Sequence, residues 1–495
     1  MVRQAPVVST ASGMVEGLWH MPDAGAAPYA TFRGIPYAQA PVGAARFDAP
    51  LPPAPWDGVR PAHDFGPTPQ RRSPFDPPRI PEPSIPGEET LTVNVTTPQP
   101  VAGAQLPVLV WIHGGAFVGG SAASPWYVGE SFARDEVVTV TASYRLGFEG
   151  FGWVEGAINN RGVRDWLAAL EWVQANIAEF GGDPDRVTIA GQSAGGAAVM
   201  CLLTMPAAQH LFRAVIAVSP ADPSVPLARA RRGSARVAAA VGATAHVESI
   251  AAVDELAIFG ARDAFSPAPA DRLSRGLVRA HRPMLPGPVV DGDVVPASVS
   301  EALAAGVGAD KTLLIGSTAH EFNESVRPLA PLLRTVEPLS LLERAGMSRG
   351  LAARYLDAHG TSAPNVMGQA ITDATFRSHV AHWAHLRSTA QAPTWVYDFR
   401  WESLAPGVHG AAHCVDVPFG MDCLGAEGTA EAVGDGPQAL ADAVHGDWLG
   451  VIAGAGVDAP DHREAFSTVV YGADGVRRVS PGYALERELA AHLES

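Results

Sequence analysis

The chain has 495 residues, 47% of them hydrophobic and 17% charged, too apolar for a disordered polypeptide and long enough for a sizeable core. Lys plus Arg total 35 against 51 for Asp plus Glu, a formal charge of −16, which repels phosphate backbones and anionic lipids and argues against a nucleic-acid or membrane partner. Lys311 is the sole lysine, and the three cysteines, Cys201, Cys414 and Cys423, are too few and too odd in number for a disulfide framework. With no apolar segment of signal-peptide character near Met1 and no uninterrupted apolar span of about 20 residues, a cytoplasmic protein is expected. A length of 495 residues allows about three domains at roughly 150 residues each. No linker is clear enough to divide the chain, so 1–495 is expected to form one unit.

The opening stretch reads as short strands and turns, ending in Phe32-Arg33-Gly34-Ile35-Pro36-Tyr37. Prolines crowd the segment from Pro67 to Glu89, which is expected to be an irregular surface loop. Leu91 to Val95 alternates as a strand does, and Pro107 to Ile112 and Val137 to Ala142 are continuous apolar runs, the pattern of strands buried on both faces. Trp166, Leu170, Val173 and Ile177 share one helical face, with a stop at Gly181-Gly182-Asp183-Pro184. Val187 to Ala190 then reads as a strand that runs into Gly191-Gln192-Ser193-Ala194-Gly195-Gly196 and an apolar helix to about Leu203. Ala214 to Val218, Thr312 to Ile315 and a last strand from Thr394 to Trp401 complete the pattern, with helical insertions expected at about 226–310 and 325–392. Alternating strands and helices predict an α/β fold with a mainly parallel sheet covered on both faces.

Gly191-Gln192-Ser193-Ala194-Gly195 matches G-x-S-x-G between a predicted strand and a predicted helix, which makes Ser193 the candidate nucleophile. A serine hydroxyl needs a histidine to take its proton and a carboxylate to orient that histidine, in the chain order Ser, acid, His for this arrangement. Glu321 follows the strand ending at Ile315, with Glu324 as close rival and Asp398 less suitable because it lies inside a strand. The loop after Trp401 offers His409 and His413, between which spacing does not choose. His379, His382 and His385 read as a polar helix stripe, and no zinc motif accompanies any of these histidines. His113-Gly114-Gly115-Ala116-Phe117 follows a strand and, with the N–H of Ala194, supplies candidate donors for an oxyanion. Phe117, Gln192, Phe419 and Met421 are candidate pocket walls, as is Trp126.

Taken together, Phe32 to Ala38, Leu91 to Val95, Trp111 to Gly120, Tyr144-Arg145-Leu146-Gly147, Asn176 to Gly196 and His413 to Phe419 make the chain resemble the type-B carboxylesterases, among them bacterial para-nitrobenzyl esterases and cholinesterases. The resemblance implies an α/β-hydrolase fold and a serine esterase without cofactor or metal, acting on a small-molecule ester and expected to be a monomer. It implies Glu321 as the acid, His413 as the base, and Gly115, Ala116 and Ala194 as oxyanion donors. Three positions depart from the family pattern. Gln192 stands where Glu is usual, His320 where Asp is usual, and Thr90 where a cysteine is usual, so the family's disulfide at the Pro-rich loop is expected to be missing. The implied substrates are neutral carboxylic esters, with amides or carbamates the alternative for the same three residues and a non-catalytic binding protein the remote one.

Overall fold

In the computed structural model, which describes residues 4–22, 27–69, 73, 77–265 and 280–494, an eleven-stranded sheet organises the chain. Its strands in chain order are β1 (Leu18–His20), β2 (Tyr29–Pro36), β3 (Thr92–Thr97), β4 (Leu106–Ile112), β5 (Val138–Ala142), β6 (Gly182–Gln192), β7 (Ala214–Val218), β8 (Thr312–Thr318), β9 (Thr394–Phe399), β10 (Ser467–Tyr471) and β11 (Arg477–Pro481). They lie in the order β11-β10-β9-β8-β7-β6-β4-β5-β3-β2-β1. From β10 to β5 every pairing is parallel, and the pairings at both margins are antiparallel.

The apolar runs become central strands because both of their faces are covered. Along β4, Val108, Val110 and Ile112 join the core cluster that holds Trp166, Leu170 and Val173, while Leu109 and Trp111 join the opposite cluster with Trp448 and Val444. That alternation is the two-residue period of a strand. The first cluster is supplied by α1 (Arg161–Asn176), whose buried face carries Trp166, Leu170 and Val173. The second is supplied by α3 (Gln438–Ala453). Between them in the chain, α2 (Ala194–Leu203) is buried at every position, as its uninterrupted apolar composition requires.

One topological feature positions the site. β4 has β5 on one side and β6 on the other, so connections from the carboxyl ends of β4 and β6 depart in opposite senses and open a crevice there, where ligands bind in open α/β sheets. The segment 113–117 and the turn at Ser193 both leave the sheet at this point.

Two expectations are corrected. The strand from Thr394 is not the last, since β10 and β11 follow it. β11 is a polar, largely exposed edge strand ending in proline, so it carries no hydrophobic alternation for a sequence pattern to detect. The span 226–310 is only partly helical: it holds Leu227–Ala240 and the short helices Val247–Ile250, Glu255–Gly260 and Val299–Ala304, together with a strand pair, Val225–Pro226 with Val289–Val290. Residues 266–279 of that span lie outside the described residues. The span 325–392 is helical, with Pro338–Ala345, Arg349–His359, Ala363–Thr372 and Ser378–Leu386, and a π-helical turn at Asp373–Arg377. Of the Pro-rich segment, residues 70–72 and 74–76 lie outside the described residues.

Candidate active site

Ser193 sits between the end of β6 and the start of α2 with φ 58° and ψ −120°, a backbone conformation that costs a non-glycine residue energy and persists only where its surroundings fix it. The surroundings here are backbone. A Cβ on Gly195 would lie 2.0 Å from the Ile112 carbonyl oxygen, and one on Gly191 would lie 2.5 Å from Gly195. Strand and helix can approach this closely only with glycine at both positions. The Ser193 N–H donates to the Val218 carbonyl at 2.9 Å, so β7 also fixes the turn.

Two further loops converge on the serine. After β8 the chain turns back, and the Thr318 N–H donates to Glu321 Oε1 at 2.8 Å. The other carboxylate oxygen, Oε2, receives Nδ1 of His413, and His413 Nε2 lies 2.9 Å from Ser193 Oγ. With Nδ1–H facing a carboxylate, the neutral ring presents Nε2 as acceptor to the serine hydroxyl. Backbone bonds lock the two loops together: the His413 N–H donates to the Glu321 carbonyl at 3.1 Å and the His320 N–H to the Ala411 carbonyl at 3.0 Å. His320 Nδ1 accepts from the Ala411 N–H at 3.1 Å. Ser193 and Glu321 are only 6% and 2% exposed, so this hydrogen-bonded row lies inside the protein.

The rival residues are occupied elsewhere. Glu324 accepts from Arg79 at 2.9 Å, and the same arginine donates to the His413 carbonyl at 2.9 Å. The Pro-rich segment is therefore more than a surface loop, because Arg79 ties it to the histidine loop. Asp398, within β9, accepts from Arg377 and Arg400, and His409 is exposed. His379 departs from the expected polar stripe: it is buried and stacked on His281 at 4.2 Å.

The segment after β4 runs through three consecutive residues with positive φ, Gly115 at 108°, Ala116 at 53° and Phe117 at 60°. A Cβ on Gly114 would lie 3.2 Å from Ser193 Cβ and 2.6 Å from the Gln192 carbonyl, so the turn presses directly against the serine. The N–H groups of Gly115, Ala116 and Ala194 donate to no protein acceptor among the described residues. Beside them His113 stacks on Tyr144 at 4.5 Å, and burial pushes its ring down to about 4, which keeps it neutral.

The sequence pattern of the carboxylesterase family matches residues 4–433. The chain belongs to the carboxylesterase family. The para-nitrobenzyl esterase of Bacillus subtilis (strain 168) is 33% identical over 428 residues, covering 84% of this chain and 85% of that protein. Phenmedipham hydrolase of Pseudarthrobacter oxydans is 33% identical over 406 residues and covers 78% of each. Among solved structures, a Geobacillus stearothermophilus carboxylesterase matches with a TM-score of 0.82 at 30% identity, over 97% of this chain and 99% of that one. The fold is the α/β-hydrolase fold, and the protein is a carboxylic ester hydrolase.

Within this carboxylesterase the four apolar candidates for pocket walls pack among other side chains. Phe117 packs on Phe151 at 4.9 Å and on Trp166 at 5.9 Å, Phe419 lies between Phe399 and Trp401, and Met421 and Trp126 belong to the core cluster around α3. All four are buried, and Trp126 and Met421 also line an open groove with Tyr29 and Arg134. The rings that meet His413 are Phe322 at 5.1 Å and Phe376 at 4.9 Å. Phe322 follows Glu321 directly and could have been read from that adjacency, whereas Phe376 comes from the π-helical turn and carries no local signal.

Burial lowers His413, while the neighbouring Cys414 and the Glu321 carboxylate at Nδ1 raise it. Gln192 reaches both neighbours, its Nε2 lying 3.2 Å from His413 Nε2 and donating to Cys414 Sγ at 3.3 Å. Cys201, Cys414 and Cys423 are free thiols, and Thr90 is buried. Among the described residues no helix is long and apolar enough to cross a membrane.

Proposed function

We propose that this carboxylesterase hydrolyses neutral carboxylic esters through an acyl-enzyme on Ser193, in a cytoplasmic setting and without cofactor. The observation that carries the reading is the 2.9 Å approach of Ser193 Oγ to His413 Nε2, with Nδ1 of the same ring on Glu321. Ser193 Oγ attacks the ester carbonyl as Nε2 takes its proton, and the N–H groups of Gly115, Ala116 and Ala194 meet the developing oxyanion. Donors of this kind are worth about 3 to 4 kcal/mol each in comparable sites. His413 then returns the proton to the leaving alcohol and draws one from water, which attacks the acyl carbonyl and releases Ser193. Glu321 holds the tautomer throughout and stabilises the imidazolium.

An organophosphonate should label the protein once per chain, at Ser193, with parallel loss of esterase activity. Mass spectrometry of the digested adduct is the measurement, and label recovered at Ser219, or none at all, would overturn the nucleophile. Turnover of matched esters, amides and carbamates by the same preparation decides the bond that is cleaved, with esters expected to be fastest.

The preference for neutral esters rests on Gln192. A glutamate there would place a negative charge beside His413 and the leaving alcohol, worth about 1 to 4 kcal/mol at roughly 4 Å depending on local dielectric. The amide supplies no such charge. The uncharged isostere of a choline ester is therefore expected to have the higher kcat/KM, and Gln192→Glu to shift the ratio toward the choline ester. High ionic strength removes the long-range attraction of a chain with formal charge −16. A ratio that the substitution leaves unmoved refutes the role of Gln192.

A further inference from the structure

A second concave site lies beside the Glu321 turn. It is an open groove of about 590 Å³, formed by the segment after β8 and the helices that follow it. His320, Arg327, Arg334 and His359 line it, and no Asp or Glu is among its lining residues, in a chain whose formal charge is −16. Glu324, the carboxylate that approaches Arg327, at 3.5 Å, is shared with Arg79 at 2.9 Å. Arg334 has no carboxylate within ion-pair distance among the described residues.

One donor in this groove, the His320 ring, is fixed by a bond from the histidine loop. His320 Nδ1 is engaged by the Ala411 N–H, so the neutral ring carries its proton on Nε2 and offers a donor there. The lining residues Asn323 and Gln369 bond each other at 3.0 Å, and Gln369 also donates to the Ala319 carbonyl. Ser362 and Asn365 line the groove where the helix Ala363–Thr372 begins, and the first turn of that helix has no acidic residue. Burial holds His320 and His359 below the usual histidine range, so Arg327 and Arg334 supply the positive charge of this concavity, which on a negative protein concentrates anions. Guanidinium groups favour carboxylate and phosphate oxygens, which they bind through paired donors.

We propose that this groove binds a small polyanion, a molecule with two or three carboxylate or phosphate groups, one residue away from Glu321. Calorimetric titration of the full chain at low ionic strength tests this with three probes: citrate, inorganic pyrophosphate and, as a monoanionic control, acetate. Saturable binding of citrate or pyrophosphate at one site per chain is expected, with acetate far weaker. Whichever of the two binds more tightly identifies the preferred head group. Arg334→Ala should weaken that binding about tenfold, the loss of one charge-assisted bond, and Arg327→Ala combined with it should weaken binding further. Asn365→Asp, which places a carboxylate on the lining, should weaken binding while keeping both arginines. Unchanged melting temperatures would show that the variants remain folded. The proposal is overturned if neither polyanion binds better than acetate, or if the tighter one binds all three variants as it binds the unmodified protein.

Discussion

His413→Ala is expected to lower kcat for a neutral ester by about four to six orders of magnitude, the scale seen when one member of such a unit is removed, while His409→Ala leaves the rate close to that of the unmodified enzyme. The asymmetry follows from placement, because His413 Nε2 lies 2.9 Å from Ser193 Oγ and His409 is exposed. The acids should divide in the same way. Glu321→Gln keeps the shape but lets the side chain donate to Nδ1, which then favours the wrong tautomer, at a cost of about 10⁴ in comparable enzymes. Glu324→Gln removes only an interaction with Arg79 and Arg327, so its rate should stay near the starting value. Steady-state kcat of the four variants on one ester decides the matter. A dead Glu324→Gln beside a live Glu321→Gln would reassign the acid.

What made the candidate nucleophile legible is that its signals are local. The apolar strand, the glycines at 191 and 195 and the apolar helix are contiguous, and each records a packing demand within a few residues of Ser193. The proposed acid and base are a different case. They come from loops 92 residues apart in sequence, and spacing left His409 and His413 level until the resemblance of the surrounding residues separated them. The geometric reason is that His413, unlike His409, is sewn to the Glu321 loop by backbone bonds, and no single-sequence pattern reports those.

The remaining omissions have the same origin. Arg79 reaches His413 from the Pro-rich segment, and Phe376 reaches its ring from a π-helical turn, so both depend on tertiary approach rather than on periodicity. β10 is buried at every position and β11 is a polar edge, so neither shows the alternation that marks a half-buried strand. Composition could name Phe117 and Phe419 as apolar, but only the packing decides that their rings belong to the core.

Arg377 is the residue that sequence reasoning had least chance of finding, and its loss should be the most damaging to stability. It is 5% exposed and binds Asp398 Oδ1 at 2.8 Å and Glu486 Oε1 at 2.6 Å, with Asp373 at 3.3 Å. It also donates to the Thr318 carbonyl at 3.2 Å, the residue whose N–H holds Glu321. Arg377→Met keeps much of the volume and removes the cation, leaving buried carboxylates unpaired, so about 3 to 5 kcal/mol of unfolding free energy should be lost at pH 7. Acidity should narrow that gap. Burial raises Asp398, but Arg377 outweighs it and holds the group below the usual carboxylate range. Its contribution is therefore present above the unfolded value of about 3.9 and is lost as pH falls through the lower folded value. Asp373, raised to about 7 by burial and then by the charge of Glu486, already favours its proton near neutrality. In the variant both groups can take up protons in acid, which removes the unpaired charges. Urea unfolding of the two proteins at pH 7 and pH 4 should show a smaller difference at pH 4, whereas a constant or widening difference would mean that lost packing, not stranded charge, accounts for the damage.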